Sequence, residues 1–243
     1  MAVAKWFAQD PEIGSPVVLG HSDPAMADKV VHFVGRQRGA TLLPSAVRAL
    51  STEQRLAAIL TSSQLHGFHV YQSKMVPVVS MSDLSAAELE TAFARGLNAR
   101  GKIEPWAVVL DRHLLWDAGF RPVVYAESAR VEEIRAALSG VYGPKGSALV
   151  VRTEMGLDDW TAEREWRFCF DVQPMVVTLG EPLPPPQPPP ALNLNDSVRA
   201  VIVGRSGWTP WVPSPVPSSP PPERWLWDDA SCRLIHDGRI PLR

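Results

Sequence analysis

The chain has 243 residues, of which 45% are apolar and 21% charged, and a formal net charge of −2, with a mean hydropathy of −0.05. That length suffices for one large core, and no stretch approaches the roughly 20 uninterrupted apolar residues of a spanning helix, which excludes a membrane-crossing helix. Near-neutral charge excludes coating of nucleic acid by bulk electrostatics but leaves room for a local basic groove.

The N-terminus carries Lys5 but reaches Asp10, Pro11 and Glu12 before any long apolar run, so no secretory signal is expected. Cys169 and Cys232 are isolated, neither in a CxxC nor beside a histidine. They read as reduced thiols of a cytoplasmic protein.

The first element is a strand over Lys29–Val34. Ser51-Thr-Glu-Gln54 has the form of a capping box, opening a helix whose Leu56, Ile59, Leu60 and Leu65 share a face. Met75 to Met81 is strand-like, and Ser85-Ala-Ala-Glu88 caps a second helix through Leu89, Phe93 and Leu97. Trp106 to Leu110 is a strand, Asp111 to Ala118 a short helix stopped by Gly119, and Pro122 to Tyr125 another strand. A helix over Val131–Leu138 and strands over Ala148–Val151, Glu165–Asp171 and Met175–Leu179 follow. In the segment from Glu165, Trp166, Phe168 and Phe170 alternate with Glu165, Arg167 and Cys169.

Proline is about twice as frequent as its ordinary share of roughly 5%; fourteen of the 24 prolines fall between Pro182 and Pro222. Such runs lack backbone donors and favour polyproline II, so residues 182–222 read as stiff surface connections. A buried strand over 197–204 interrupts them. Glu223–Trp227 and Cys232–His236 then alternate as a terminal hairpin around Asp228-Asp229. The prolines therefore interrupt one domain, 1–243, rather than separate two. Helices early and strands late make the fold class α+β, a single domain with a mixed or antiparallel sheet and helices mainly in the N-terminal half.

No phosphate-loop, dinucleotide, HExxH or GxSxG motif is present. His66-Gly-Phe-His69 has metal-like spacing but no third ligand beside it, and Asp158-Asp159 and Asp228-Asp229 read as caps and turns, so no metal is expected. Three local signals remain: His32-Phe-Val-Gly-Arg36 at the end of the first strand, Pro77-Val-Val-Ser-Met-Ser-Asp-Leu84 before a helix, and Glu163-Arg-Glu-Trp-Arg167 opening a later strand. In this order, with Trp106 to Arg112 and Gly119 to Ala126, they resemble the bacterial abortive-infection proteins of the AbiGi type over roughly residues 30 to 170. That resemblance implies a cytoplasmic protein of phage defence or of a toxin–antitoxin pair.

The same residues show a more distant similarity to ADP-ribosyltransferases, which use a first-strand His or Arg, a second-strand Ser or Tyr, and a Glu at the start of a later strand. The similarity implies an NAD-dependent transferase acting on a macromolecule. Glu165 and Glu163, two apart as in an ExE motif, would be catalytic, stabilising the oxocarbenium-like centre; His32, Arg36, Ser80 and Ser82 would hold NAD. This chemistry requires His32, Ser80 or Ser82, and Glu165 to converge on one cleft, since reacting groups must be positioned almost in contact. No NAD-binding loop can be picked out.

The residues also allow a plainer reading, with His32 a core histidine, Ser82 and Asp83 caps, and Glu163, Arg164, Glu165 and Arg167 an ion-pair ladder on a strand. On that reading the chain is a non-enzymatic antitoxin or sensor binding a partner protein or nucleic acid. Its basic surface would come from Arg36, Arg38, Arg95, Arg100 and Lys102, and its aromatic surface from Trp208, Trp211, Trp225 and Trp227.

Overall fold

The computed structural model describes residues 28–36, 45–69, 76–95, 103–153, 164–171, 189–210 and 220–240. Its strands are β1 Lys29–Arg36, β2 Gln64–His66, β3 Phe68–His69, β4 Pro77–Ser82, β5 Ile103–Asp111, β6 Arg121–Pro122, β7 Val124–Ala126, β8 Val150–Arg152, β9 Glu165–Cys169, β10 Ala191–Asn193, β11 Val198–Val203, β12 Glu223–Asp228 and β13 Arg233–Arg239. Its helices are α1 Ser45–Arg48, α2 Thr52–Ser62, α3 Ala86–Arg95, α4 Arg112–Asp117 and α5 Val131–Tyr142. Among the described residues every α-helix precedes Gly143.

One large mixed sheet dominates, in the order β13-β12-β11-β5-β1-β4-β9-β6, with β3 also paired to β4. All its pairings are antiparallel except β11 with β12. The molecule is thus α+β with a mixed sheet, and β11 to β13, which follow the first proline run, belong to the same sheet as β1. Of the proline-rich stretch, residues 182–188 and 211–219 lie outside the described residues, as do the expected strand at Met175–Leu179 and Asp158-Asp159. The expected strand at Pro122–Tyr125 is divided, with β6 joining the main sheet while β7 pairs in parallel with β8.

Local chemistry explains the helices. Ser51 Oγ accepts from the Gln54 amide (3.2 Å) while Gln54 Oε1 accepts from the Ser51 amide (2.8 Å), closing the capping box of α2. Ser85 and Glu88 close the same box on α3. Asp111 caps α4 by accepting from the His113 and Leu114 amides, and Gly119, at φ +107°, takes the left-handed turn after it. Leu65 falls outside α2, because Ser63 at φ 55° turns the chain into β2.

Both faces of the sheet are covered, which is why its central strands read as nearly continuous apolar runs. Val30, Val34, Val108, Leu110, Val201 and Val203 meet Leu56 and Leu60 of α2 and Leu115 of α4 on one face. Val31, Ala107, Val109, Ala200 and Ile202 meet Leu89, Ala92 and Phe93 of α3 on the other. The alternating Trp166 and Phe168 join the α2 face, as their spacing implies.

Candidate functional site

The expected site residues sit on three contiguous strands, β1, β4 and β9. Ser82 lies opposite Glu165, and Ser80 opposite Arg167, so these four side chains share one face of the sheet. Val31 is the register partner of Ser82 and belongs to the α3-side core, so that shared face is the α3 face.

His32 is placed differently. It lies between Val31 and Phe33, both on the α3 side, and opposite Val108, on the α2 side. By strand alternation its side chain leaves the α2 face. From there the ring donates through Nδ1 to the Ser80 carbonyl at 2.9 Å, across a seam where β1 and β4 share the single ladder position Val31–Ser82. The ring thus takes the place of a ladder amide where the strands part. The structure brings Ser80, Ser82 and Glu165 together on one face and His32 to the other. Arg36 is the last residue of β1, opposite Ile103, and Glu163 lies outside the described residues.

Gly35, in the same His32–Arg36 motif, has a packing role. A Cβ there would stand 2.6 Å from Glu104 Cβ and 2.8 Å from Thr52 Cγ2, where β1, β5 and α2 meet and Thr52 hydrogen-bonds Glu104. Gly35→Ala is expected to cost about 1–3 kcal/mol by overpacking, seen as a lower urea midpoint at an unchanged slope.

Glu165 is closed by an ion pair. Arg167, two residues along the strand and therefore on the same face, donates from Nε to Oε1 (2.8 Å) and from Nη2 to Oε2 (3.1 Å), and its Nη1 donates to the Ala148 carbonyl. The pair is buried, with side-chain exposures of 11% for Glu165 and 4% for Arg167. The Glu165 amide donates to the Tyr125 hydroxyl at 2.8 Å. Part of the expected ion-pair ladder is thus present, with Glu165 in it.

A second charged cluster lies at the end of β4. Arg164, whose φ of +41° is unusual for a side-chain-bearing residue, donates from Nε to the Asp83 carbonyl. It also grips Glu88 at two points, 2.8 and 2.6 Å. That guanidinium holds the Glu88 carboxyl down at about 2. Asp83 accepts from Arg112 at 3.1 Å, yet burial raises its carboxyl above the ordinary range, outweighing Arg112 and Arg164.

Arg112 also leans over the Trp166 ring (5.9 Å), Trp166 meets Trp116 edge-on (6.0 Å), and Arg121 stacks on Trp116 at 4.1 Å. Arg121 is fixed by donating to the Trp116 and Phe120 carbonyls. This ladder holds Trp116, 42% exposed, on one side of α4, while Leu114, 41% exposed, lies two residues earlier and so on another side of the helix. No sequence signal marked it: a six-residue helix has too little periodicity to show which apolar residues stay outside.

The expected aromatic surface is overturned. Trp208, Trp225 and Trp227 are 3%, 0% and 5% exposed, and so are core residues; Trp211 is outside the described residues, as are Arg38, Arg100 and Lys102, and for Arg95 the structure describes only its helical backbone. No disulfide joins Cys169 and Cys232, and burial pushes the Cys169 thiol up to about 11. Among the described residues no group of three metal-ligating side chains forms, and no helix is long and apolar enough to cross a membrane. Comparison with known protein families, with curated proteins and with solved structures returns no match for this chain.

Proposed function

We propose that the chain is the partner-binding member of a bacterial phage-defence system, an antitoxin or sensor, and that it contacts a protein partner through the Trp116 side of α4. The defence setting rests on the motif order of residues 30 to 170. The binding role rests on one observation: a tryptophan, Trp116, stands 42% exposed on a short helix, held by a stacked arginine and a second tryptophan. Tryptophan and arginine dominate the energetics of protein interfaces, and a ring already held in place loses little freedom on binding. A protein fits better than a nucleic acid. Of the flanking arginines, Arg112 is tied to Asp83, Arg164 to Glu88 and Arg121 to backbone carbonyls, whereas nucleic-acid binding depends on cations that meet phosphate.

Trp116→Ala tests this in cells carrying the gene with its flanking genes. Loss of a central tryptophan costs at least about 2 kcal/mol of binding, roughly 30-fold in affinity, so protection from phage should collapse while the melting temperature moves little, as for other surface changes. Protection that survives in Trp116→Ala overturns the reading, and a gel shift with RNA or DNA that this substitution abolishes turns it toward nucleic acid.

A second reading keeps the chemistry: an NAD-dependent ADP-ribosyltransferase modifying a macromolecule. It is favoured by the adjacency of β1, β4 and β9 and by Ser82 standing opposite Glu165. The residues fit this chemistry only in part: Ser80, Ser82 and Glu165 share a face, but His32 leaves the other one, so the convergence this chemistry requires of it is not met, and Ser82 and Glu165 are buried, 4% and 9% exposed. A ribose-holding group other than His32 is then required on that face.

A further inference from the structure

We propose that β13 is a self-association edge, through which two copies of the chain join their sheets by antiparallel β13–β13 pairing about a two-fold axis at Ile235. Among the described residues β13 ends the main sheet, with β12 on one side and no strand on the other. Its outward amides are identified by a contact: Leu234 N–H points away from β12 and donates to Glu90 Oε1 of α3 at 3.0 Å. By alternation His236 turns its amide the same way.

This pattern restricts the pairing. Outward residues 234 and 236 must meet each other, or each its own copy. Centring the axis on His236 sets Arg233 against Arg239, a like-charge pair that is unfavourable directly across a ladder. Centring it on Leu234 sets Arg233 against Ile235. With the axis on Ile235, Leu234 meets His236 twice in hydrogen-bonded pairs, and Arg233 faces Asp237 twice. Ile235, 40% exposed, meets its own copy at the closest cross-strand spacing. Arg233 is 70% exposed and Asp237 21% exposed. Asp237 already accepts from Arg224 and from the Gly207 amide, which holds its carboxylate in place.

Glu90 is the competitor for this edge. In the single chain it occupies the Leu234 amide and pairs with Arg233 at 2.9 Å, the kind of device that blunts an exposed edge. Pairing replaces its contact to Leu234 with the partner's His236 carbonyl, and Arg233 exchanges one carboxylate for another. Glu90 therefore sets how readily the edge opens.

Sedimentation equilibrium of the full chain over a concentration series tests this directly. The wild type is expected to shift from 26.7 kDa toward twice that mass. Ile235→Lys, which opposes two ammonium groups at the axis, and His236→Pro, which removes an outward donor at a position where an edge strand tolerates proline, should both stay monomeric. Glu90→Ala should tighten the dimer by about tenfold, the worth of one charge-assisted hydrogen bond. Circular dichroism confirms that each variant is folded, and Ile235→Lys suffices if His236→Pro is not. A wild type and a Glu90→Ala variant that both remain monomeric overturn the proposal, and so does a dimer that persists in Ile235→Lys.

Discussion

Replacing Glu165 with glutamine is expected to lower the melting temperature by roughly 6–20 °C, from a loss of about 3–5 kcal/mol when a buried ion pair is left with one partner. Arg167 is held at two points by Glu165 and is 4% exposed on its side chain. Glutamine keeps one acceptor but turns an amide N–H₂ toward a guanidinium that has only donors, leaving a buried charge uncompensated. The double variant Glu165→Gln, Arg167→Met removes both charges and should recover most of the loss, since well-packed apolar replacements of buried pairs are often neutral or stabilising. Recovery in the double variant identifies the pair as the cause; equal loss in both variants excludes it.

The same substitution separates the two functional readings when NAD consumption is followed at a temperature where the variant is folded. A transferase loses turnover by about 100- to 1000-fold, the scale of one transition-state electrostatic contact, with NAD affinity changed far less. A partner-binding module consumes no NAD in the wild type, and Glu165→Gln then changes stability alone.

Trp225→Ala carries the second large effect. Trp225 is fully buried on the α3 face with Leu89, Phe93 and Ile202, its ring edge-on to His236 at 5.1 Å and its indole N–H donating to Glu223 at 3.1 Å. Truncation leaves a cavity and an acceptor without its donor, for about 3–5 kcal/mol. Equilibrium urea unfolding should show the midpoint fall with little change in slope. A normal midpoint would return Trp225 to the surface role its alternating segment suggested.

That contrast marks how far the residues can be read along the chain. Ser51 with Gln54 and Ser85 with Glu88 were legible because a cap and its partner lie within one turn; Asp111, read as the first helical residue, is the cap of α4 instead. The alternation from Glu165 to Phe170 was legible too, and it already set Glu165 and Arg167 on one face; that they bond each other follows from a two-residue spacing. The terminal hairpin was legible in its strands, but alternation does not say which of the two faces meets solvent. With α3 covering one face of the hairpin, Trp225 and Trp227 became core there, while Ile235 on the other face is 40% exposed; Trp208, before the hairpin, is buried on the α2 face.

The candidate site depended on longer range. Ser82 stands opposite Glu165 across 83 positions of chain, in a register set by the burial of Val79 and Met81 with Trp166 and Phe168. His32 takes the other face because β1 runs Val30 to Val34 without a break in alternation, and its ring reaches Ser80 only because β1 and β4 part beyond Val31. The sequence by itself determined the starts of α2, α3 and α5, most strands, the α+β class and the shared face of Glu165 and Arg167, since these rest on contacts within a few residues. Only the tertiary structure decided which strands adjoin, which side His32 takes, and that Trp116 rather than Trp225 meets solvent. Those outcomes depend on which segments cover each face of one sheet, a choice made by the burial of the whole chain rather than by any local run of residues.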